Sequence, residues 1–175
     1  MAGPRTAGRA KRNGAAQPTD DLAGTWGLVS YERFDGGEVT YPMGRDARGY
    51  ISYDPAGWMS VQIMCADRPA LAGGTGSATL EELRATVAGY LSYAGTYAVD
   101  PAAGTVTHRI DLHVLPGGVG GTLVRRYEVD GDRLVLHTSA PGAQGGGRLT
   151  WQRITARERR GPTGGGRAAD GLGRP

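Results

Sequence analysis

Apolar and polar side chains alternate along most of this 175-residue chain, and alternation with a period of two is typical of β-strands. The clearest case is the stretch 49–64, where two runs rich in aromatic and aliphatic residues flank the tetrapeptide Asp-Pro-Ala-Gly at 54–57. Proline sets φ for the second position of a turn, and glycine accepts the left-handed conformation that often closes one. The pattern therefore predicts a β-hairpin near the centre of the chain.

The return strand of this hairpin carries large side chains on both of its faces. One row is apolar and the other mixes apolar with polar residues: Met59, Val61 and Ile63 against Trp58, Ser60, Gln62 and Met64. Large side chains on both faces of a strand indicate that both faces are at least partly buried. With polar atoms on one face, this pattern suits the wall of a barrel that encloses a cavity.

The same period continues through the rest of the chain and predicts eight principal strands. They lie at 26–34, 48–53, 58–64, 92–99, 105–113, 122–129, 133–138 and 148–154. Short turn sequences such as Asp130-Gly131 link many of them as hairpins. Eight antiparallel strands in this order can close into an up-and-down barrel whose bore holds one small ligand. A two-sheet sandwich is the alternative that periodicity leaves open.

One segment changes to the period of a helix. Thr79 and Glu82 form a capping-box pattern, and Leu80, Leu83 and Val87 follow at helical spacing. We expect one short amphipathic helix at 80–89, which would cover one mouth of the barrel together with the loop 66–77. The predicted fold class is therefore an all-β, eight-stranded antiparallel barrel with one short helix.

Charge and composition separate the chain into a mildly acidic body and two basic ends. The formal net charge of +3 combines +4 in residues 1–18, +3 in residues 156–175 and −4 between them. Both ends are rich in Gly, Ala, Pro and Arg and have no apolar periodicity. This composition predicts disordered basic tails at 1–18 and 156–175 around one domain at 19–155.

Features that the sequence lacks disfavour several classes of function. The basic ends have no interleaved aromatic residues, so no nucleic-acid partner is expected. No run approaches the ~18 apolar residues of a membrane span. The N-terminus lacks the apolar core of a secretory signal, so we expect a cytoplasmic protein. Three scattered histidines and the single cysteine, Cys65, show no metal-ligand spacing, so neither a metal nor a cofactor is predicted.

Two polar side chains share strand faces with apolar residues. His108 alternates with Val106 and Ile110, and Arg125 alternates with Leu123 and Tyr127. If these faces point inward, His108 could bind or protonate a ligand. Arg125 would then need an anionic partner from the protein or from a ligand. A hydrogen-bonded core histidine and a structural ion pair are the alternatives.

Aromatic and amide side chains could supply the rest of a small-molecule site. The candidates on the predicted strands are Tyr53, Trp58, Gln62, Tyr93, Tyr97 and Tyr127. Aromatic residues in β-proteins also serve as plain core, and that alternative stays open.

Residues 22–30, with the sequence Leu-Ala-Gly-Thr-Trp-Gly-Leu-Val-Ser, resemble the opening of the small bacterial lipocalin-like domain family. The likeness continues through 41–44, 48–64, 93–99, 104–111, 125–128 and 149–153, and so covers about residues 20–155. The resemblance implies a barrel with an internal cavity and implies little about chemistry. It also implies that Trp26 packs against an arginine of the final strand, here Arg153, and closes one end.

The residues and the resemblance together predict binding of a small, largely apolar organic molecule in the barrel lumen. The ligand would be hydrophobic or amphipathic, with an acidic or carbonyl oxygen facing Arg125. The alternative is a cofactor-independent cyclase or isomerase of natural-product (polyketide-like) biosynthesis that uses the same cavity. In that case Arg125, His108 or a tyrosine would polarise a carbonyl.

Deletion of residues 1–18 and 157–175 should leave the melting temperature nearly unchanged, because neither end has apolar periodicity with which to dock. Differential scanning calorimetry of the full chain and the truncated chain measures this. A drop of more than ~5 °C, which corresponds to roughly 2 kcal/mol for a domain of this size, would show that an end packs on the barrel.

Overall fold

A computed structural model of the chain describes residues 21–71, 73–138 and 145–155. The tails predicted at 1–18 and 156–175 lie outside these ranges. Within them are nine strands, one α-helix (α1, Leu80–Ala88) and a single 3₁₀ turn (Pro116–Gly118). The strands are β1 (Gly24–Asp35), β2 (Glu38–Thr40), β3 (Arg48–Tyr53), β4 (Trp58–Met64), β5 (Tyr90–Asp100), β6 (Thr105–His113), β7 (Thr122–Asp130), β8 (Arg133–His137) and β9 (Gly146–Arg153).

Eight of the strands close into one antiparallel barrel. From β3 to β9 each strand pairs with the next along the chain, and β1 pairs with both β3 and β9. The pairing of β1 with β9 runs from Trp26 opposite Arg153 to Phe34 opposite Gly146. The predicted eight-stranded barrel is therefore confirmed, and the sandwich alternative is excluded. Strand β2 is an added three-residue piece that pairs with the far end of β1.

The central hairpin forms as its turn sequence predicts. The Asp54 N–H donates to the Trp58 carbonyl at 2.8 Å, and the Asp54 carboxylate accepts from the Ala56 N–H at 2.8 Å. Gly57 has a φ of +92°, which an L side chain rarely adopts. These contacts set the register of β3 against β4, so that Ile51 lies opposite Val61.

The interior is filled by alternate residues of each strand. On β4 the apolar row points inward and is buried, whereas the mixed row points outward. The buried hydrophobic residues are Leu22, Trp26, Met43, Ile51, Tyr53, Met59, Val61, Ile63, Tyr93, Tyr97, Val99, Val106, Ile110, Leu134, Leu136 and Trp151. Cys65 is half-buried at the edge of this core, with its Sγ 3.7 Å from Met43 Sδ.

One end of the barrel is sealed by Trp26 and Arg153, as the family resemblance implies. The guanidinium carbon of Arg153 lies 4.0 Å from the centroid of the Trp26 ring, and Trp26 is fully buried. Trp26 Nε1 donates to the Leu22 carbonyl at 3.0 Å. Arg153 also donates to the backbone carbonyls of Ala23 and Asp21 at 2.6 and 2.8 Å. These bonds tie the chain entering β1 to the end of β9.

Helix α1 connects β4 to β5 at the opposite end of the barrel. The predicted capping box is present: Thr79 Oγ1 accepts from the Glu82 N–H at 3.2 Å, and Glu82 Oε2 accepts from the Thr79 N–H at 2.7 Å. No residue of α1 is buried, and Leu80 is 63% exposed. Arg68 donates to the Thr86 carbonyl at 3.1 Å. The helix is therefore held by its cap and by Arg68 more than by packing on the core.

Replacement of Trp26 by alanine should lower the free energy of unfolding by ~3–5 kcal/mol, because it truncates a fully buried aromatic side chain. Trp58→Ala is the matched control. Trp58 is 58% exposed, so its replacement should lower the free energy of unfolding by less than about 1 kcal/mol. Urea denaturation of the two variants measures the difference. Equal losses would contradict the placement of Trp26 as the sealing residue.

Candidate functional site

The barrel encloses a small cavity of about 50 Å³. It extends from Trp151 towards the end of the barrel where α1 lies. Most of its lining is apolar, and no acidic side chain of the described residues takes part. The lining residues are Tyr31, Ile51, Val61, Ile63, Leu91, Tyr93, Arg125, Leu136, Thr138, Leu149 and Trp151. An apolar pocket with a few convergent polar groups is the usual form of a small-molecule site.

Arg125 is the charged group of this cavity. The alternation of β7 turns Leu123, Arg125 and Tyr127 towards the interior, and Arg125 is half-buried. None of the ion pairs found among the described residues includes Arg125. Its Nη1 donates to the adjacent Val124 carbonyl at 3.4 Å, which is a long bond. The guanidinium therefore faces an apolar space with donors that an anionic or carbonyl oxygen could use.

A chain of three hydrogen-bonded side chains lies beside Arg125. Tyr53 Oη is 2.8 Å from His108 Nε2, and Tyr93 Oη is 3.0 Å from His108 Nδ1. His108 is fully buried, and both of its ring nitrogens have partners. The alternation of β3, β5 and β6 brings these residues together, although Tyr53 and His108 lie 55 positions apart in the sequence.

Burial keeps all three groups neutral. Burial first, and then the positive charge of Arg125, lower the pKa of His108 to about 3. Burial likewise raises the pKa of Tyr93 to about 12 and raises the pKa of Tyr53 well above its ordinary value. At neutral pH the histidine therefore carries one ring proton and both phenols are protonated. His108 is a structural hydrogen-bonding group, which is the alternative left open from the sequence.

A family model described as a lipocalin-like domain matches residues 23–154, which is most of the chain. The chain belongs to the lipocalin-like domain family. A search of curated proteins found no match. No helix within the described ranges is long and apolar enough to cross a bilayer.

Two solved structures are similar to this lipocalin-like domain in fold. A lipocalin-like protein from Bacteroides uniformis ATCC 8492 is 15% identical, and the match covers 77% of this chain and 99% of that one with a TM-score of 0.43. As-p18, an extracellular fatty acid binding protein, is 18% identical, and the match covers 79% of this chain and 99% of that one with a TM-score of 0.39.

The structure brings four of the predicted site residues together. Arg125 and Tyr93 line the cavity, and Tyr93 is linked through His108 to Tyr53. Two further candidates are inside the barrel but outside the cavity lining. Tyr97 is buried and donates to the Asp54 carbonyl at 3.1 Å. Tyr127 is half-buried and packs against the core.

Trp58 and Gln62 do not lie where the sequence reasoning placed them. Both belong to the row of β4 that points away from the lumen, because Met59, Val61 and Ile63 fill the inward row. Trp58 borders a groove of about 340 Å³ on the outer wall, with small side chains such as Ser60 as its floor. This groove is larger than the lumen cavity, but it is open to solvent, and the charged residues in its lining are the acidic Asp54 and Asp111.

Trp151 is a cavity residue that the sequence reasoning did not single out. It is fully buried, and its Nε1–H has no hydrogen-bond partner among the described residues. Its alternation with Leu149 on β9 is the signal that could have placed it inside. Tyr31 and Thr138 also line the cavity, near the end where α1 lies.

Acid should weaken this lipocalin-like domain through His108. The pKa of His108 is about 3 in the folded state and 6.5 in model peptides, so the unfolded state binds more protons between these values and stability rises with pH across this window. The contribution of neutral His108 to the free energy of unfolding is fully present above pH 6.5 and is lost as the pH falls towards 3. Between pH 7 and pH 4.5 the expected loss is about 2–3 kcal/mol.

The measurement is the free energy of unfolding in urea at both pH values, for the natural chain and for His108→Gln. Glutamine keeps a donor and an acceptor but does not titrate, so the variant should lack this part of the pH dependence. Carboxylates contribute equally to both proteins and cancel in the comparison. The same pH dependence in both proteins would contradict a neutral buried His108.

Proposed function

We propose that this lipocalin-like domain binds a small, largely apolar organic molecule in the barrel lumen, with an acidic or carbonyl oxygen of the ligand against Arg125. The observation that carries the proposal is the unpaired guanidinium at an apolar cavity that no acidic side chain of the described residues lines. Arg125 is half-buried and its recorded hydrogen bond is a long one to the Val124 carbonyl, so a bound oxygen would offset the cost of withdrawing part of this charge from water.

The size of the cavity limits what can enter without rearrangement. About 50 Å³ accommodates a polar group of a few heavy atoms, whereas drug-sized ligands occupy roughly 300–1,000 Å³. The polar end of the ligand would lie inside, and its apolar part would extend past Leu91 and Leu149 towards the end of the barrel near α1. Because α1 buries none of its residues, the end of the barrel near α1 can open at the lowest cost in free energy.

The second candidate function is a cofactor-independent cyclase or isomerase that uses the same cavity. Arg125 and Tyr93 line one space and both can donate to a carbonyl oxygen, which would polarise it. His108 supports this role only as a neutral group, because its low pKa makes it a weak base at neutral pH. Formation of a new product from a polyketide-like substrate would distinguish turnover from binding.

Substitution of Arg125 by methionine should weaken binding of a carboxylate ligand at least tenfold, equivalent to ~1.4 kcal/mol, while the fold stays equally or more stable. Methionine keeps most of the stem volume and removes the charge. Isothermal titration calorimetry with octanoate and with cinnamate measures the affinity, and thermal unfolding measures stability.

Arg126→Met is the matched control. Arg126 is the next residue along β7, its side chain is 49% exposed, and it pairs with Glu128 at the surface. Its replacement should leave the affinity for both probes unchanged. Equal affinity of the Arg125 variant and the natural chain would remove Arg125 from the binding site, and a collapsed fold would reassign it to structure.

A further inference from the structure

We infer that the lumen site is specific for a carboxylate, held by Arg125 together with the Nε1–H of Trp151 and the hydroxyl of Tyr93. This inference rests on the proposed function and narrows it. An acidic or carbonyl oxygen near Arg125 is compatible with many ligands, including esters, ketones and amides. Three convergent donors would select among them.

The indole of Trp151 is the first independent observation. The Nε1–H is buried and unpartnered among the described residues, and the ring lines the cavity. Trp26, the other fully buried tryptophan, donates its Nε1–H to the Leu22 carbonyl at 3.0 Å. A buried donor without an acceptor is unfavourable and rare in native proteins. A cavity that is large enough for a water molecule or a small polar group lies beside it and can supply the acceptor.

A count of hydrogens in the Tyr53–His108–Tyr93 chain is the second observation. The two phenols and the neutral imidazole carry three polar hydrogens, but the chain contains two hydrogen bonds. One phenolic hydrogen is therefore left over. If it belonged to Tyr53, which is 1% exposed and outside the cavity lining, it would be buried without an acceptor. If it belongs to Tyr93, it can point into the cavity.

The favourable arrangement therefore has a defined direction. Tyr53 donates to His108 Nε2, His108 Nδ1–H donates to Tyr93, and Tyr93 donates into the cavity. His108 acts as a positioning residue, because it sets which phenol has a free donor and does not itself reach the ligand. The raised pKa of Tyr93, about 12, keeps this phenol protonated at neutral pH.

The three groups together explain why a carboxylate fits best. Arg125 and Trp151 have hydrogen-bond donors and no acceptor, and Tyr93 in this arrangement acts as a third donor. A carboxylate offers two oxygens with about four acceptor sites. It also carries the negative charge that would pair with the positive charge of Arg125. A primary amide of the same shape would place its own N–H donors against these donors and would leave them unpaired. Discrimination between the two ligands should therefore be strong.

The first experiment compares octanoate with octanamide by isothermal titration calorimetry on the full chain. The two ligands share the same tail, so the affinity ratio reports the polar end alone. We expect octanoate to bind at least tenfold more tightly. Comparable affinity for octanamide would overturn the inference, because the site would then accept donors as readily as acceptors.

The second experiment removes the donors one at a time. Trp151→Phe keeps an aromatic ring and deletes the N–H, and Tyr93→Phe deletes the hydroxyl. Each should weaken octanoate binding about fivefold or more and reduce the octanoate-to-octanamide ratio. Tyr97→Phe is the control, since its hydroxyl donates to the Asp54 carbonyl and does not line the cavity. Because Tyr93→Phe also removes a partner of His108, the Trp151 variant decides the result.

The third experiment observes the indole N–H signals directly by ¹H–¹⁵N NMR. The protein contains three tryptophans, and single Trp→Phe variants assign the signals. Saturation with octanoate should shift the Trp151 signal downfield as its N–H gains an acceptor. The Trp26 signal should stay in place because its N–H is already bonded, and the exposed Trp58 serves as a second reference.

These outcomes separate the inference from the function on which it rests. If Arg125→Met loses octanoate affinity while Trp151→Phe and the Trp151 signal do not respond, the lumen site stands and the three-donor arrangement is wrong. If neither octanoate nor cinnamate binds the natural chain, the proposed ligand chemistry fails and the inference fails with it. Binding that is unaffected by Arg125→Met would place the probe outside the lumen and would overturn both.

Discussion

The pairing of β1 with β9 is the constraint on which the rest of this structure depends. It joins the two ends of an antiparallel series and leaves the eight barrel strands without a free edge. Once the sheet is closed, alternate residues of every strand must point either to solvent or to one shared interior. Trp26 lies at the junction, opposite Ile51 of β3 and opposite Arg153 of β9. The Arg153 guanidinium covers the Trp26 ring and also binds the backbone before β1, so closure and sealing involve the same residues.

A closed interior makes every inward polar group either satisfied or costly. His108 is satisfied by two tyrosine hydroxyls and stays neutral. Arg125 and the Trp151 Nε1–H have no such partners in the described part of the chain beyond the long bond of Arg125 to a neighbouring carbonyl. Both line the same cavity. The ligand that we propose, with its acceptor oxygens, would supply partners for both donors.

The two ends of the barrel differ in how firmly they are held. At the Trp26 end, an aromatic ring, a guanidinium and several backbone bonds lock the strands together. At the other end, α1 has a well-formed cap but buries no residue, and the cavity approaches that end. Local opening draws on the regions with the fewest buried contacts. The difference in packing therefore favours local opening at the α1 end over opening at the Trp26 end.

The alternation and the turn sequences were sufficient to predict most of the fold. Strands β3, β4 and β6 have the predicted bounds, and the capping box of Thr79 and Glu82 begins α1 as expected, because these signals act over a few residues. Local pattern also showed that His108 and Arg125 share faces with apolar residues.

Only the tertiary structure decided which face of each strand is the inside. A period of two describes both faces of a strand equally well, so β4 could have presented either its Met59 row or its Trp58 row to the lumen. In the closed barrel the Met59 row lies inside, and Trp58 and Gln62 point outward. The same closure brought Arg125 of β7 and Trp151 of β9 to one cavity. Contacts between residues so far apart in the sequence depend on the geometry of the whole barrel. Sequence periodicity describes only neighbouring residues and does not contain this information.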